Sequence, residues 1–464
     1  VTVIGTVRAE PAKNNNLVET WLDGLTVRKT ENKFDEEDIS EEDRKLIGTI
    51  AARDDIYDLI VKSVAPQIYG YDDVKLGLVC SLVGGQTRWT PDGARNRGES
   101  HTFLIGDPGT AKSALANYVA DISPRSVKAV GQGASAAGLT ATAEQIEFAG
   151  EQQWVLSGGA LVMADGGVAV IDELDKAHDG DKTAMHEAME DGIVTIQKAA
   201  EGTLNARTTV IATANPKNGV WDPWKPLSDQ FDIESSLLSR FDLVFTFTDE
   251  VDEERDRKIG LTQLEHRYDS TVAYEPNPDS PIEFDGNHIP KPLFRKYVAV
   301  ARKIAPVMSK EVIDVLNEFY VALRISSDDK GAIPVTAREL PALARLAEAV
   351  ARIQLSEEIT MEHARITMDL VMASLEDVGI DPETGELDAY IKETGQPKSQ
   401  HERYQQVRET VEILGDGQPV SRETALAFLK DEHNIDRSQA TAILKRLLKK
   451  GDLYEVDDEK IAVA

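Results

Sequence analysis

Thr102-Phe103-Leu104-Ile105-Gly106-Asp107-Pro108-Gly109-Thr110-Ala111-Lys112-Ser113 is the stretch that decides the fold. An apolar run leads into a glycine turn, and a helix-forming run, Ala114 to Ala120, follows. Buried strand, tight turn and helix start, in that order, are what a phosphate-binding loop requires. Glycine lets several backbone N–H groups converge on one anion, and the helix N-terminus adds positive potential. Lys112 is expected to reach the β- and γ-phosphates of ATP, and the Ser113 hydroxyl to complete a Mg²⁺ shell. Gly106, Asp107, Pro108, Gly109, Thr110, Ala111, Lys112 and Ser113 are therefore the candidate ATP-binding loop. Ala111 stands where the G-x-x-x-x-G-K-[ST] pattern has its second glycine, and a glycine turn before a surface helix would give similar letters.

The downstream order decides between these. Val168-Ala169-Val170-Ile171-Asp172-Glu173 is a run of buried-strand length ending in two acids. In an open α/β sheet such acids lie beside the phosphate loop. Asp172 is expected to hold Mg²⁺ through water, and Glu173 to polarise the attacking water. Thr208 to Ala214 is a third apolar run, and Asn215 after it is placed to orient that water or touch the γ-phosphate. Leu237-Leu238-Ser239-Arg240-Phe241-Asp242 then sets one arginine before the run Leu243 to Phe247, and a planar cation suits a transferring phosphoryl group. Together these imply an ATPase.

The loop 106–113, Ile171-Asp172-Glu173-Leu174-Asp175-Lys176 and Leu238-Ser239-Arg240-Phe241-Asp242 resemble the diagnostic motifs of the minichromosome maintenance (MCM) replicative helicases, the archaeal members most. Alanine at the Ala111 position is usual in that family. Ala136-Ala137-Gly138-Leu139-Thr140, His186-Glu187-Ala188-Met189-Glu190 and Asn215-Pro216-Lys217 match as well. The resemblance runs from about Ile39 to the C-terminus. It implies Walker A roles for Lys112 and Ser113, Walker B roles for Asp172 and Glu173, and a sensor-1 role for Asn215. Arg240 matches the arginine finger and Arg338 the sensor-2 arginine, both serving ATP bound by a neighbouring subunit. Ile68, Tyr69 and Gly70 match a segment that packs on adenine. A homo-hexameric ring on DNA is implied, with replication partners such as GINS and origin-recognition proteins.

Lys plus Arg number 51 against 81 Asp plus Glu, a net charge of −30, which is the wrong sign for phosphate contacts. Either nucleic acid is not the ligand, or the acids cover the outer surface, as in proteins adapted to molar salt, while a local basic strip meets DNA. The acids are scattered along every segment, which favours a halophile. The one cysteine, Cys80, lies in an apolar run and reads as a core residue. The absence of a disulfide framework, signal peptide or membrane-length apolar run points to the cytoplasm, at the nucleoid. The chain begins with Val rather than Met and reads as a fragment.

The expected architecture is an α/β AAA+ P-loop ATPase core with a parallel sheet and a helical lid, plus a C-terminal winged helix. Residues 1–9 read as a remnant of an N-terminal oligonucleotide-binding (OB-fold) domain, without cysteines for a zinc site. Residues 10–40 read as a linker with one short strand near Leu17 to Val27. The core is expected at 41–275, a breaker-rich connector at 276–291, the lid at 292–380, a linker at 381–400 and the winged helix at 401–464. Arg437, Lys445, Arg446, Lys449 and Lys450 give its third helix a basic face, read equally as a DNA contact or a solvated face.

Two insertions, Glu144 to Ser157 and Thr195 to Asn205, align with hairpins that reach into the family's ring channel. The second has Glu201 where the family carries a basic residue. Lys198 and Thr203 are the candidate DNA contacts, with backbone N–H groups or impaired unwinding as the alternatives. The reading is an ATP-driven helicase of replication. Its rivals are a magnesium-chelatase-like protein remodeller and a truncated MCM-like regulator.

Overall fold

In a computed structural model of the chain, the apolar runs become parallel strands of one sheet. These are β1 (Thr102–Gly106), β2 (Ser126–Val130), β3 (Val168–Asp172), β4 (Thr209–Ala214) and β5 (Leu243–Phe247), in the order β5-β1-β4-β3-β2. Thr102 pairs with both Ile211 and Leu243, and Val168 with both Thr209 and Ser126. Every residue of β1 and β4 is buried, which is why these strands read as unbroken runs rather than alternations. β2 is an edge strand with Lys128 exposed, and its mixed letters carry no such signal.

The structure describes residues 2–11, 18–28, 39–131, 136–148, 151–197, 201–217, 219, 230–249, 252–269, 284–328 and 338–379. In the C-terminal part it describes 407–408, 410–411, 414–415, 419–433, 440, 443–444, 453–457 and 460–463.

Strand side chains alternate between two cores, as the two-residue period demands. Leu104, Val170, Ile211, Leu243 and Phe245 face one layer of helices. Phe103, Ile105, Ala169, Ile171, Val210 and Val244 face the other. The first layer holds α1 (Glu41–Ala51), α2 (Ile56–Ser63), α3 (Asp72–Val83) and α4 (Lys112–Ile122). Helix α1 opens on a reciprocal capping box: Asp43 N–H donates to Ser40 Oγ at 3.1 Å, and Ser40 N–H to Asp43 Oδ2 at 3.0 Å. The second layer is built on α5 (Asp179–Asp191). Helix α6 (Glu253–Asp269) follows β5.

Among the described residues four helices form the lid: α7 (Lys291–Ala301), α8 (Lys310–Asp328), α9 (Glu339–Ile353) and α10 (Met361–Gly379). Leu343, Leu346 and Val350 of α9 and Leu375 of α10 share one core with the first helical layer. Ser374 of α10 bonds both the N–H and the carbonyl of Val244 at 2.9 Å, satisfying the open edge of β5. Arg352 donates to the Gly84 and Gly85 carbonyls at 2.8 Å, capping the end of α3. A Cβ on Gly85 would lie 2.7 Å from Glu348 Oε2 and 3.0 Å from Arg345 Cα, so a glycine there lets α9 approach this closely.

Thr2–Pro11 and Val18–Arg28 pair antiparallel. The strand expected near Leu17 to Val27 is found at Val18–Arg28, with Thr2–Pro11 as its partner. Both insertions are hairpins: Ala141–Phe148 with Glu151–Gly158, and Ile193–Gln197 with Glu201–Asn205. A Cβ on Gly202 would lie 2.6 Å from Leu156 Cδ1, so the two hairpins pack on each other. Lys198 lies outside the described residues; Thr203 is exposed opposite Thr195. In the C-terminal part Val420–Ser421, Lys460–Val463 and Leu453–Asp457 form a three-stranded sheet beside the helix Arg422–His433. Val411, Ala425, Leu429, Leu444 and Ile461 are its core. Arg437, Lys445, Arg446, Lys449 and Lys450 fall outside the described residues.

Candidate nucleotide site

Strand β1 ends at Gly106, whose φ of 131° only glycine adopts readily, and a Cβ there would lie 2.1 Å from the Phe247 carbonyl oxygen. Asp107 N–H donates to that same carbonyl at 2.8 Å. Gly109 turns the loop at φ 84°, and Ala111 follows at φ 72°. The departure from glycine at Ala111 thus falls on a left-handed residue, a conformation that costs a Cβ-bearing residue about 1 kcal/mol. Helix α4 begins at Lys112, which is buried. Its ammonium donates to the carbonyls of Gly106 (2.9 Å) and Asp107. Burial pulls the Lys112 pKa down to about 8, against the attraction of Asp107, Asp172 and Asp175. At neutral pH the side chain is therefore charged, and it lies folded back on its own loop.

Asp172 sits at the end of β3, and its Oδ1 accepts from Ser113 Oγ at 2.8 Å and from Thr213 Oγ1. Thr213 Oγ1 in turn accepts the Glu173 N–H at 3.2 Å. Sequence reasoning missed Thr213, because threonine inside a strand run reads as β-propensity; its place two residues before Asn215 was the available signal. Glu173 adopts φ 55°, ψ 48°, a strained conformation of the kind that gathers at functional sites. Its carboxylate accepts from Lys176 Nζ at 2.6 Å. Asn215 N–H donates to Asp175 Oδ1 at 3.2 Å, and burial raises the pKa of that acid. Lys112, Ser113, Asp172, Glu173 and Asn215 are thereby gathered at the carboxyl ends of β1, β3 and β4, where open α/β sheets bind ligands. The Ser113 hydroxyl and the Asp172 carboxylate are hard oxygen donors that suit Mg²⁺, with water and phosphate oxygens filling its other positions.

The segment expected at adenine borders this loop. Ile68 packs against the core, and Tyr69 is half-exposed with Lys258 Nζ 5.8 Å above its ring. Tyr71 stacks on Phe247 at 4.7 Å between centroids, with Arg255 over its ring at 5.2 Å. Since the Phe247 carbonyl also bonds Asp107, one residue ties the tyrosine segment to the phosphate loop. Arg255 and Lys258 gave no sequence signal: they lie far along the chain, on α6.

Arg240 and Arg338 are not brought to that site. They line a separate cleft of about 430 Å³ with Arg95, Arg97 and Glu190, and no phosphate-loop residue lines it. The Glu190 carboxylate lies 3.5 Å from Arg240 Nε and 3.9 Å from an Arg338 nitrogen, and Arg338 also donates to Ser239 Oγ at 3.2 Å. The chain therefore carries a phosphate loop with its acids and, apart from them, an arginine-rich cleft suited to an anion. Arg95 and Arg97 escaped sequence reading, since R-x-R is no motif and nothing in its letters marks the two side chains as largely buried.

The sequence matches the family model of the MCM P-loop domain over residues 43–266 and that of the MCM AAA-lid domain over 292–375. It is 37% identical to a minichromosome maintenance protein MCM of Saccharolobus solfataricus over 446 residues, 95% of this chain and 62% of that protein. It is 34% identical to the DNA replication licensing factor MCM4 of Oryza sativa subsp. japonica, over 86% of this chain and 48% of that protein. With the licensing factor Mcm3 of Drosophila melanogaster the identity is 34%, over 80% of this chain and 50% of the relative. The chain thus spans between about half and two thirds of the length of these relatives.

Proposed function

The chain belongs to the MCM family, and from that membership and the geometry of its two separated half-sites we propose that it is the motor of an ATP-driven, ring-forming DNA helicase of replication. Lys112 and the 106–113 loop hold the phosphates of ATP, Ser113 and Asp172 hold Mg²⁺, and Glu173 with Asn215 places the attacking water. Arg240 and Arg338 act on the nucleotide of the neighbouring subunit. The observation that carries this reading is the separation of the arginine cleft from the phosphate loop. A subunit alone holds only half of the groups hydrolysis needs, so a closed homo-hexamer completes each site.

The ring encircles DNA in the cytoplasm, at the nucleoid, and moves 3′→5′, with the two packed hairpins lining the channel. Lys198 and Thr203 meet the strand, and the C-terminal part acts as a winged helix. GINS-like and origin-recognition proteins are its partners. Among the described residues no helix is long and apolar enough to cross a membrane.

Unwinding of a forked duplex by the assembled chain at high salt tests the reading. Lys112→Ala should abolish it, and rings doped with Arg240→Ala subunits should lose hydrolysis more steeply than the doping fraction. Oligomers that turn over no ATP with or without DNA would sink the proposal, and wild-type unwinding by Lys198→Ala would remove that residue from the DNA path.

A further inference from the structure

We propose that Arg345 and Asp242 are a positioning pair through which the lid aims Arg240, a role that rests on the reading that Arg240 serves a neighbouring subunit's nucleotide. Asp242 follows Arg240 by two residues and is buried, with its side chain 2% exposed. Its carboxylate is held from three directions. The Arg345 guanidinium reaches it from α9, Arg97 donates at 3.3 Å, and the His101 N–H donates at 2.9 Å. Arg97 also donates to the Arg240 carbonyl at 3.1 Å and to the Met189 carbonyl at 3.0 Å. His101 braces the same wall as a neutral ring. Its Nδ1 accepts the Val210 N–H at 3.0 Å, so Nε2 carries the proton and donates to the Met189 carbonyl at 3.2 Å. The main chain beneath Arg240 is thus fixed to the sheet, to α5 and to the lid.

The lid contact is the one with a consequence for chemistry. Arg338 precedes α9, and Arg345 lies two turns along it, about 10 Å by the rise of a helix. One rigid helix therefore carries Arg338 and grips the loop that carries Arg240. Because that loop is anchored to the sheet, the Arg345–Asp242 bond holds α9, and Arg338 with it, in register with Arg240, and so sets the spacing of the two arginines across a neighbour's phosphate. Neither member of the pair touches the nucleotide; they act by aim.

The test measures ATP turnover, KM and melting on the assembled chain. The double variant Asp242→Asn, Arg345→Met removes both members of the pair together and leaves Arg97 its bonds to the Arg240 and Met189 carbonyls. Arg345→Lys keeps the charge but loses the planar fork. With the aim lost, kcat should fall about 100-fold in the double variant and roughly tenfold in Arg345→Lys, with KM unchanged. In an Arg240→Ala background neither change should lower kcat further. Wild-type kcat in Arg345→Lys, or losses that multiply with that of Arg240→Ala, would overturn the pairing. If the double variant does not fold, Arg345→Lys still decides. Wild-type turnover by Arg240→Ala alone would overturn the neighbouring-subunit reading and the pairing with it, whereas an impaired Arg240→Ala beside unimpaired pair variants would overturn the pairing only.

Discussion

Ser113 Oγ donates to Asp172 Oδ1 across 2.8 Å, joining the start of α4 to the end of β3. The two residues are far apart in the chain, and the parallel sheet is what makes them neighbours. Their bond prearranges two oxygens that suit one hard cation. Asp172→Asn should reduce ATP hydrolysis at least about 100-fold, and Ser113→Ala should raise the Mg²⁺ concentration needed for half-maximal rate. A Mg²⁺ titration of hydrolysis reads both, and an unmoved midpoint in Ser113→Ala would remove the hydroxyl from the cation site.

Lys112 predicts a pH dependence of nucleotide binding. Its folded-state pKa of about 8 lies below the ordinary 10.5, so the fold disfavours the ammonium. That penalty on stability is present in full below about pH 8 and fades as pH rises toward 10.5. Phosphate needs the charged form, so ATP affinity runs the other way. By pH ~9 about a tenth of the side chains remain charged, and affinity should be roughly tenfold weaker than at pH ~7. Calorimetric titrations at the two pH values should show this in the wild-type chain and not in Lys112→Met.

Ala111 holds a left-handed backbone at the start of α4. Ala111→Gly should stabilise the chain by up to about 1 kcal/mol, because relief of that strain exceeds the entropy glycine adds to the unfolded chain. Ala111→Val should destabilise it, since branching at Cβ worsens the same clash. Denaturant melts of the two variants, moving in the same direction, would show that the strain is not there.

The excess of 81 acids over 51 bases should make folding or assembly depend on salt. Screening shortens from about 10 Å at 0.1 M to about 3 Å at 1 M, which relieves repulsion among exposed carboxylates. The melting temperature should therefore rise between roughly 0.1 M and 2 M KCl. An unchanged melt would count against adaptation to salt.

The order of the core and most of its nucleotide residues can be read from the letters alone. A β-strand buried on both faces must be apolar throughout, and the residue that ends it must lie at the rim, so Lys112, Ser113, Asp172, Glu173 and Asn215 were legible as one set. The hairpins at 144–157 and 195–205 came from the family resemblance, and the structure has antiparallel pairs at both places. Packing in three dimensions is what puts Thr213 on the carboxylate of Asp172, gathers Arg95 and Arg97 with Arg240 and Arg338 in a cleft of their own, and sets Arg345 of the lid on Asp242. The reason is physical. Strand and turn signals are local in the chain. A buried charge, in contrast, takes its partners from whatever the packing brings within about 3 Å, and no spacing along the sequence records which residues those are.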